Sequence, residues 1–125
     1  MKTVLIDSDI LIEVARGRNP SVVARWQALS QSETVPFYSP VTLAEVWHGA
    51  RPSEYPQLTN LFNALTCVPI EAEIGRRAGD FLREYRRSHH VELGDALIAA
   101  TASIHRLPLW TRNHKHYPMK GLQFY

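Results

Sequence analysis

The chain has 125 residues, of which 45% are hydrophobic and 21% charged, and its formal net charge is +2. This size fits one compact domain with a single core, and the mildly basic charge permits a polyanionic partner without requiring one. No apolar stretch approaches the roughly 20 residues of a membrane span, and Asp7 interrupts the first apolar run too early for a signal peptide, so we expect one cytoplasmic domain over residues 1–125.

The apolar pattern predicts short strands that alternate with helices. The predicted strands cover residues 3–6, 35–38, 67–70, 107–111 and 122–125. The predicted helices cover 8–16, with Ser8 as the cap, then 20–29, 40–49, 52–65, 71–88 and 93–105. Because a parallel connection needs a crossover that is usually a helix, this alternation predicts an α/β fold with a short parallel sheet and helices on both faces. Cys67, the one cysteine, lies in an apolar segment and is predicted to be buried.

Three carboxylates lie at or inside apolar segments. Asp7 ends the first strand, Glu45 lies among apolar residues of the helix 40–49, and Asp95 opens the apolar run 95–102. An ionised side chain in such a segment loses solvation and is rarely kept without a partner, and none of these runs contains Lys or Arg. A divalent cation is the partner that we expect.

The predicted topology brings these acids together. In open parallel sheets, ligands bind beyond the carboxyl ends of the strands, where Asp7 lies and where Glu45 and Asp95 can reach from their helices. Clustered carboxylates repel one another, so one takes up a proton or a cation joins them. Oxygen ligands suit Mg²⁺ or Mn²⁺, which can activate a water and hold a phosphate oxygen. The sequence therefore predicts a metal-dependent phosphodiester hydrolase.

Four segments carry a resemblance to a known family. They are residues 5–12, 39–50, 95–102 and 109–117, with the sequences LIDSDILI, SPVTLAEVWHGA, DALIAATA and LWTRNHKHY. In this order and spacing they resemble the PIN-domain ribonucleases, and most closely the VapC-type toxins of bacterial toxin–antitoxin pairs. The resemblance spans nearly all of the chain.

The resemblance implies a PIN-like three-layer sandwich that cleaves RNA internally. It implies that Asp7 and Asp95 hold Mg²⁺, with Mn²⁺ as a substitute, while Glu45 ligates the metal or orients the attacking water. Asn113, with Thr111, would complete the polar edge of the catalytic site. It also implies a homodimer that is silenced by a cognate antitoxin protein.

Two positions depart from the family pattern. Where the family commonly has a fourth acid, this chain has Asn113 and His116, so a second metal position stays open. Asp9 stands where the family more often has Asn, and we interpret it as a helix cap rather than as the missing charge. Glu92 either faces the site or only stabilises a helix start.

Two basic clusters are candidate RNA contacts. Residues 83, 86 and 87 share one helical face, which we interpret as a solvated face paired with Asp80 and Glu84. The cluster from Arg112 to His116 follows the predicted strand 107–111 and lies beside the proposed site, where positive charge would offset the repulsion between phosphate and carboxylates.

Two other functions stay open at this point. Asp7 and Asp9 after an apolar strand also match the Asp-x-Asp pair of haloacid-dehalogenase-like phosphatases. The downstream Lys and further acidic pair of that family have no convincing counterpart here. The second alternative is a non-catalytic PIN-like module that binds RNA or protein.

Overall fold

The computed structural model describes all residues from Met1 to Tyr125. Four strands form one sheet: β1 (Thr3–Ile6), β2 (Val35–Tyr38), β3 (Thr66–Cys67) and β4 (Leu109–Trp110). Six α-helices accompany them: α1 (Ser8–Arg16), α2 (Pro20–Ser30), α3 (Pro40–Gly49), α4 (Tyr55–Asn63), α5 (Ala72–His89) and α6 (Leu93–His105). Short 3₁₀ turns cover Pro52–Glu54 and His114–His116. None of the helices is both long enough and apolar enough to cross a bilayer.

The sheet is parallel throughout, with the strand order β3-β2-β1-β4. At its centre, Leu5 pairs with Phe37 on one side and with Leu109 on the other. The predicted α/β class, with a short parallel sheet and helices on both faces, is therefore confirmed. Since β1 and β4 are adjacent and parallel, the residues that follow them lie at the same edge.

The last three predicted strands were too long, and the strand predicted at 107–111 covers only Leu109–Trp110. After Cys67, Val68 still donates its N–H to the carbonyl of Tyr38 over 2.9 Å, but Pro69 has no N–H and the strand ends. The segment 122–125 forms only an isolated bridge between Phe124 and Leu109. Cys67 lies at the edge of the sheet and is exposed, so its predicted burial was wrong.

Polar residues at the helix starts fix where the helices begin. Asp7, and not Ser8 as predicted, caps α1, since its Oδ1 accepts the Ser8 N–H over 2.8 Å. Ser39 caps α3, where its Oγ accepts the Val41 N–H over 3.1 Å. Both caps follow strands directly, so they set the direction in which α1 and α3 leave the sheet.

The core divides into two layers on either side of β1. Val4, Leu5 and Ile6 are all 0% exposed. Leu5 packs in a cluster with residues of α5 and α6, while Val4 and Ile6 pack with residues of α1, α2, α3 and α4. Alternate side chains of a strand point to opposite faces, so β1 joins both clusters into a three-layer sandwich.

Candidate active site

A polar cleft opens at the carboxyl ends of β1 and β4. It has a volume of about 280 Å³ and no hydrophobic residue in its lining. The residues that line it are Asp7, Ser8, Asp9, Glu45, His90, Glu92, Asp95, Asn113 and His116. The structure thus brings all four predicted catalytic residues, Asp7, Glu45, Asp95 and Asn113, to one place.

Asp7 is the most firmly held acid of the cleft. It follows β1 directly, and its side chain is held from two sides. Oδ1 accepts the Ser8 N–H over 2.8 Å, and Oδ2 accepts two hydroxyls, from Thr111 and from Tyr117, each over 2.9 Å. Burial, and then the negative charge of Asp7, raise the pKa of Tyr117, so its hydroxyl keeps the proton that it donates.

Glu45 reaches the cleft from the middle of α3. Its Oε1 accepts a hydrogen bond from the Ser8 hydroxyl over 3.2 Å. Burial, and then the charge of Asp7, raise the pKa of Glu45, while the Ser8 hydrogen bond opposes the rise. Gly94 lies close by, since a Cβ at that position would stand 3.8 Å from Oε2 of Glu45.

Asp95 lies in the first turn of α6. Its Oδ2 accepts the Glu92 N–H over 3.3 Å, and its Oδ1 lies 4.0 Å from Nδ1 of His116. Burial raises the pKa of Asp95, the Glu92 N–H and His116 lower it, and the charges of Asp7 and Glu92 raise it further. Glu92 is the N-cap residue of α6, and it also lines the cleft. It therefore lies at a helix start and faces the site, as its two interpretations had it.

Asp9 connects α1 to the loop after β4. Its Oδ2 accepts the Arg112 N–H over 2.9 Å and the Asn113 amide Nδ2 over 3.3 Å. Its Oδ1 is buried without a hydrogen-bond partner, and burial, followed by the charge of Asp7, raises its pKa. The helix cap is Asp7, so the interpretation of Asp9 as a cap was wrong.

The sequence profile of the PIN domain matches residues 4–122. The chain belongs to the PIN-domain family. Ribonuclease VapC10 of Mycobacterium tuberculosis is 42% identical to this PIN domain over 118 residues, which are 93% of this chain and 86% of that protein. Ribonuclease VapC1 of Methanocaldococcus jannaschii is 30% identical over 116 residues, 91% of this chain and 78% of that protein. This similarity confirms the predicted nuclease class and displaces the phosphatase alternative.

Solved structures share the fold of this PIN domain. VapBC2 from Rickettsia felis, bound to a DNA fragment from their promoter, superposes with a TM-score of 0.82 at 18% identity, covering 98% of this chain and 97% of that chain. A toxin–antitoxin complex from Klebsiella pneumoniae gives a TM-score of 0.73 at 29% identity, covering 94% and 92%. The predicted PIN-like sandwich is thereby confirmed.

The donor set of the PIN-domain cleft fits a hard divalent cation. Five acids line the cleft, and neither Lys nor Arg does. The pKa values of Asp9, Glu45 and Asp95 are all raised by burial, with the charge of Asp7 as a further cause, and a cation would relieve both effects. No group of three or more His, Cys, Asp or Glu side chains is arranged to hold an ion as it stands. The acids therefore share a cleft without forming a ready-made ligand shell.

Sequence reasoning missed two hydroxyl residues of the PIN-domain site. Tyr117 looked like any core aromatic residue, and Ser8 was assigned to the helix cap. The sequence signal for Ser8 was its place between Asp7 and Asp9, whereas the hydroxyl contact of Tyr117 had no local signal.

The exposed arginines of α5 do not form the ion pairs that we expected from the sequence. The one Arg–carboxylate salt bridge of the chain joins Arg18 to Glu13 over 3.0 Å, and the other close contact between a basic and an acidic side chain is His116 with Asp95. The arginines at 83, 86 and 87 are exposed but do not pair with Asp80 or Glu84, so that predicted pairing was wrong.

Proposed function

We propose that this PIN domain is a Mg²⁺-dependent endoribonuclease that acts as the toxin of a toxin–antitoxin pair. The observation that carries the proposal is the polar cleft in which Asp7, Glu45 and Asp95 meet. Relatives that are named ribonucleases support RNA as the substrate. Structural neighbours that are toxin–antitoxin complexes support an antitoxin as the partner.

The roles of the acids follow from how the fold holds them. Asp7 and Asp95 would bind Mg²⁺ directly, and Glu45 would ligate it or orient the attacking water. Bound Mg²⁺ supplies a Lewis acid that polarises the phosphate and lowers the pKa of water. Hydroxyls of Thr111 and Tyr117 fix Asp7, and the Ser8 hydroxyl holds Oε1 of Glu45, which leaves its Oε2 to accept a hydrogen bond from the water.

Basic and amide groups surround the acids. Asn113, anchored through Asp9, completes the polar edge, and His116 borders the cleft beside Asp95. We propose that Arg112 and Lys115, which are exposed in the same loop, contact the RNA backbone.

A surface that is mainly apolar supports the proposal of protein partners. Pro40, Leu43, Ala44 and Trp47 line a shallow depression on α3, and Trp47 is stacked on Tyr55 while remaining exposed. Exposed apolar surface of this kind is typical of protein contacts. Both a homodimer and an antitoxin complex would bury such surface.

The test compares acid variants on a fluorescent RNA. Cleavage should require Mg²⁺, stop in EDTA, and fall to background in Asp7→Asn and Asp95→Asn. The matched control is Asp80→Asn, an exposed acid of α5 that does not line the cleft and should cleave normally. Cleavage that persists in EDTA or in Asp95→Asn would refute the mechanism.

A second measurement tests the toxin assignment. Expression of the wild-type protein should arrest bacterial growth, and co-expression of the antitoxin encoded beside it should relieve the arrest. Arrest by Asp95→Asn at the same protein level would show that the toxicity does not come from the nuclease site. An absence of arrest by an active nuclease would contradict the toxin role alone.

A further inference from the structure

The hydrogen bonds to the Asp7 carboxylate leave one of its lone-pair sites free. A carboxylate has about four lone-pair sites, and three of those on Asp7 are filled. Oδ2 accepts the hydroxyls of Thr111 and Tyr117, and Oδ1 accepts the Ser8 N–H. The one remaining site is on Oδ1, so a ligand in the cleft meets a single oxygen of Asp7.

Tyr117 is held in place by its ring and by its backbone. Its ring belongs to the core cluster with residues of α5 and α6, and its N–H donates to the His114 carbonyl over 2.9 Å. Tyr117 is 3% exposed and Asp7 is 6% exposed, so bulk water has little access to their hydrogen bond. The hydroxyl therefore restrains the rotation of the carboxylate.

We propose that Tyr117 is a positioning residue that confines Asp7 to coordination through one oxygen and thereby favours Mg²⁺ over Ca²⁺. The inference rests on the metal site of the proposed function. Mg²⁺ takes six ligands in near-ideal octahedral geometry, whereas Ca²⁺ accepts six to eight ligands and readily takes both oxygens of a carboxylate. With two hydroxyls on Oδ2, the second oxygen is blocked. The site therefore disfavours Ca²⁺, which would otherwise bind both oxygens of Asp7.

The test measures ion binding without RNA. Mn²⁺ is titrated into the protein and followed by electron paramagnetic resonance, and Mg²⁺ or Ca²⁺ is then added as a competitor. Tyr117→Phe keeps the ring and removes the hydroxyl. Because outer groups of this kind change metal affinity by about tenfold or more, we expect the ratio of Ca²⁺ to Mg²⁺ affinity to rise by about tenfold.

The matched control is Tyr85→Phe. Tyr85 is buried in the same core cluster, but its hydroxyl accepts the Lys120 N–H over 3.4 Å and makes no contact with Asp7. This variant should keep the wild-type ratio of affinities even if it loses stability. A similar change in both tyrosine variants would mean that the ratio reports packing, and the inference would be wrong.

The outcomes separate the inference from the proposed function. If the wild type binds no Mn²⁺, the metal site itself fails. If the wild type binds Mn²⁺ and cleaves RNA but Tyr117→Phe keeps its ratio of affinities, only the role of Tyr117 is overturned. Thr111→Val removes the other donor to Oδ2 and should shift the ratio in the same direction, while Thr111→Ser keeps a hydroxyl and should not. These variants keep the test decisive if Tyr117→Phe does not fold.

Discussion

Replacing Thr111 with Val tests whether the hydrogen bonds around Asp7 stabilise the fold. Thr111 is 5% exposed, and its Oγ1 donates to Oδ2 of Asp7 over 2.9 Å and accepts the Asn113 N–H over 3.1 Å. Val has nearly the same shape but makes neither hydrogen bond. Losing the bond to the carboxylate costs about 1.5–3 kcal/mol, and the unpartnered N–H adds about 1 kcal/mol. We expect the free energy of unfolding to fall by about 2.5–4 kcal/mol.

The same substitution at Thr42 should have the opposite sign. Thr42 is 0% exposed, and its Oγ1 is buried with no hydrogen-bond partner. Its hydroxyl therefore carries a desolvation cost that Val would remove, which should raise the free energy of unfolding by about 1 kcal/mol. Thr42→Val is thus a control for the change from a hydroxyl to a methyl group at a buried position.

Urea unfolding followed by circular dichroism, in EDTA, measures both variants. For a domain of this size, each kcal/mol corresponds to about 3–6 °C in Tm, so thermal melts should separate the two variants clearly. If Thr111→Val is no less stable than Thr42→Val, the contacts to Asp7 do not stabilise the fold. The rigidity argued for this carboxylate would then be unfounded.

Three further predictions concern pH, a thiol and a glycine. The pKa values of Glu45 and Asp95 are raised in the fold, so both groups favour the folded state below their unfolded pKa values, and this stability is lost as the pH rises through the folded values. In EDTA, the Tm should therefore rise as the pH is lowered from about 7 to about 4, and it should rise by more in the wild type than in Glu45→Gln. Cys67 is exposed, so Ellman's reagent should label the native protein within about tenfold of the rate in urea, and strong protection would contradict its placement. Gly94→Ala puts a Cβ in ordinary contact 3.4 Å from Cγ1 of Val41 and should stabilise α6 by up to about 1 kcal/mol, whereas a lower Tm would show that the methyl group does not fit.

The alternation of apolar runs and helix signals was enough to predict the layers and the parallel sheet. Acids that interrupt apolar segments are unusual for a core, which is why the sequence alone could nominate Asp7, Glu45 and Asp95, and all three line one cleft. Contacts between distant residues could not be selected in this way. The hydroxyl of Tyr117 meets a carboxylate 110 positions away, and nothing in its neighbourhood distinguishes it from an aromatic residue that only packs.

Local pattern also gave the wrong answer where two environments look alike in sequence. Asp7 and Asp9 are both plausible caps for a helix that begins near them, and only the backbone shows that the helix starts at Ser8. Cys67 lies in an apolar segment, but that segment forms an edge strand of the sheet, and the Cys67 side chain is exposed there. The error in the cap is a shift of one or two residues, within the ordinary scatter of helix ends, whereas the error at Cys67 concerns the exposure of a side chain.

The margins of the sheet have a consequence for how copies of the protein meet. The outer strands Thr66–Cys67 and Leu109–Trp110 are two residues long, and the backbone of Leu109 is already paired with Gln123 and Tyr125. An extended segment of another chain would find few unpaired backbone groups with which to form β-sheet hydrogen bonds. Short edge strands of this kind protect natural proteins against edge-to-edge aggregation. Any self-association should therefore use side chains of the helices, and leave the central sheet unextended.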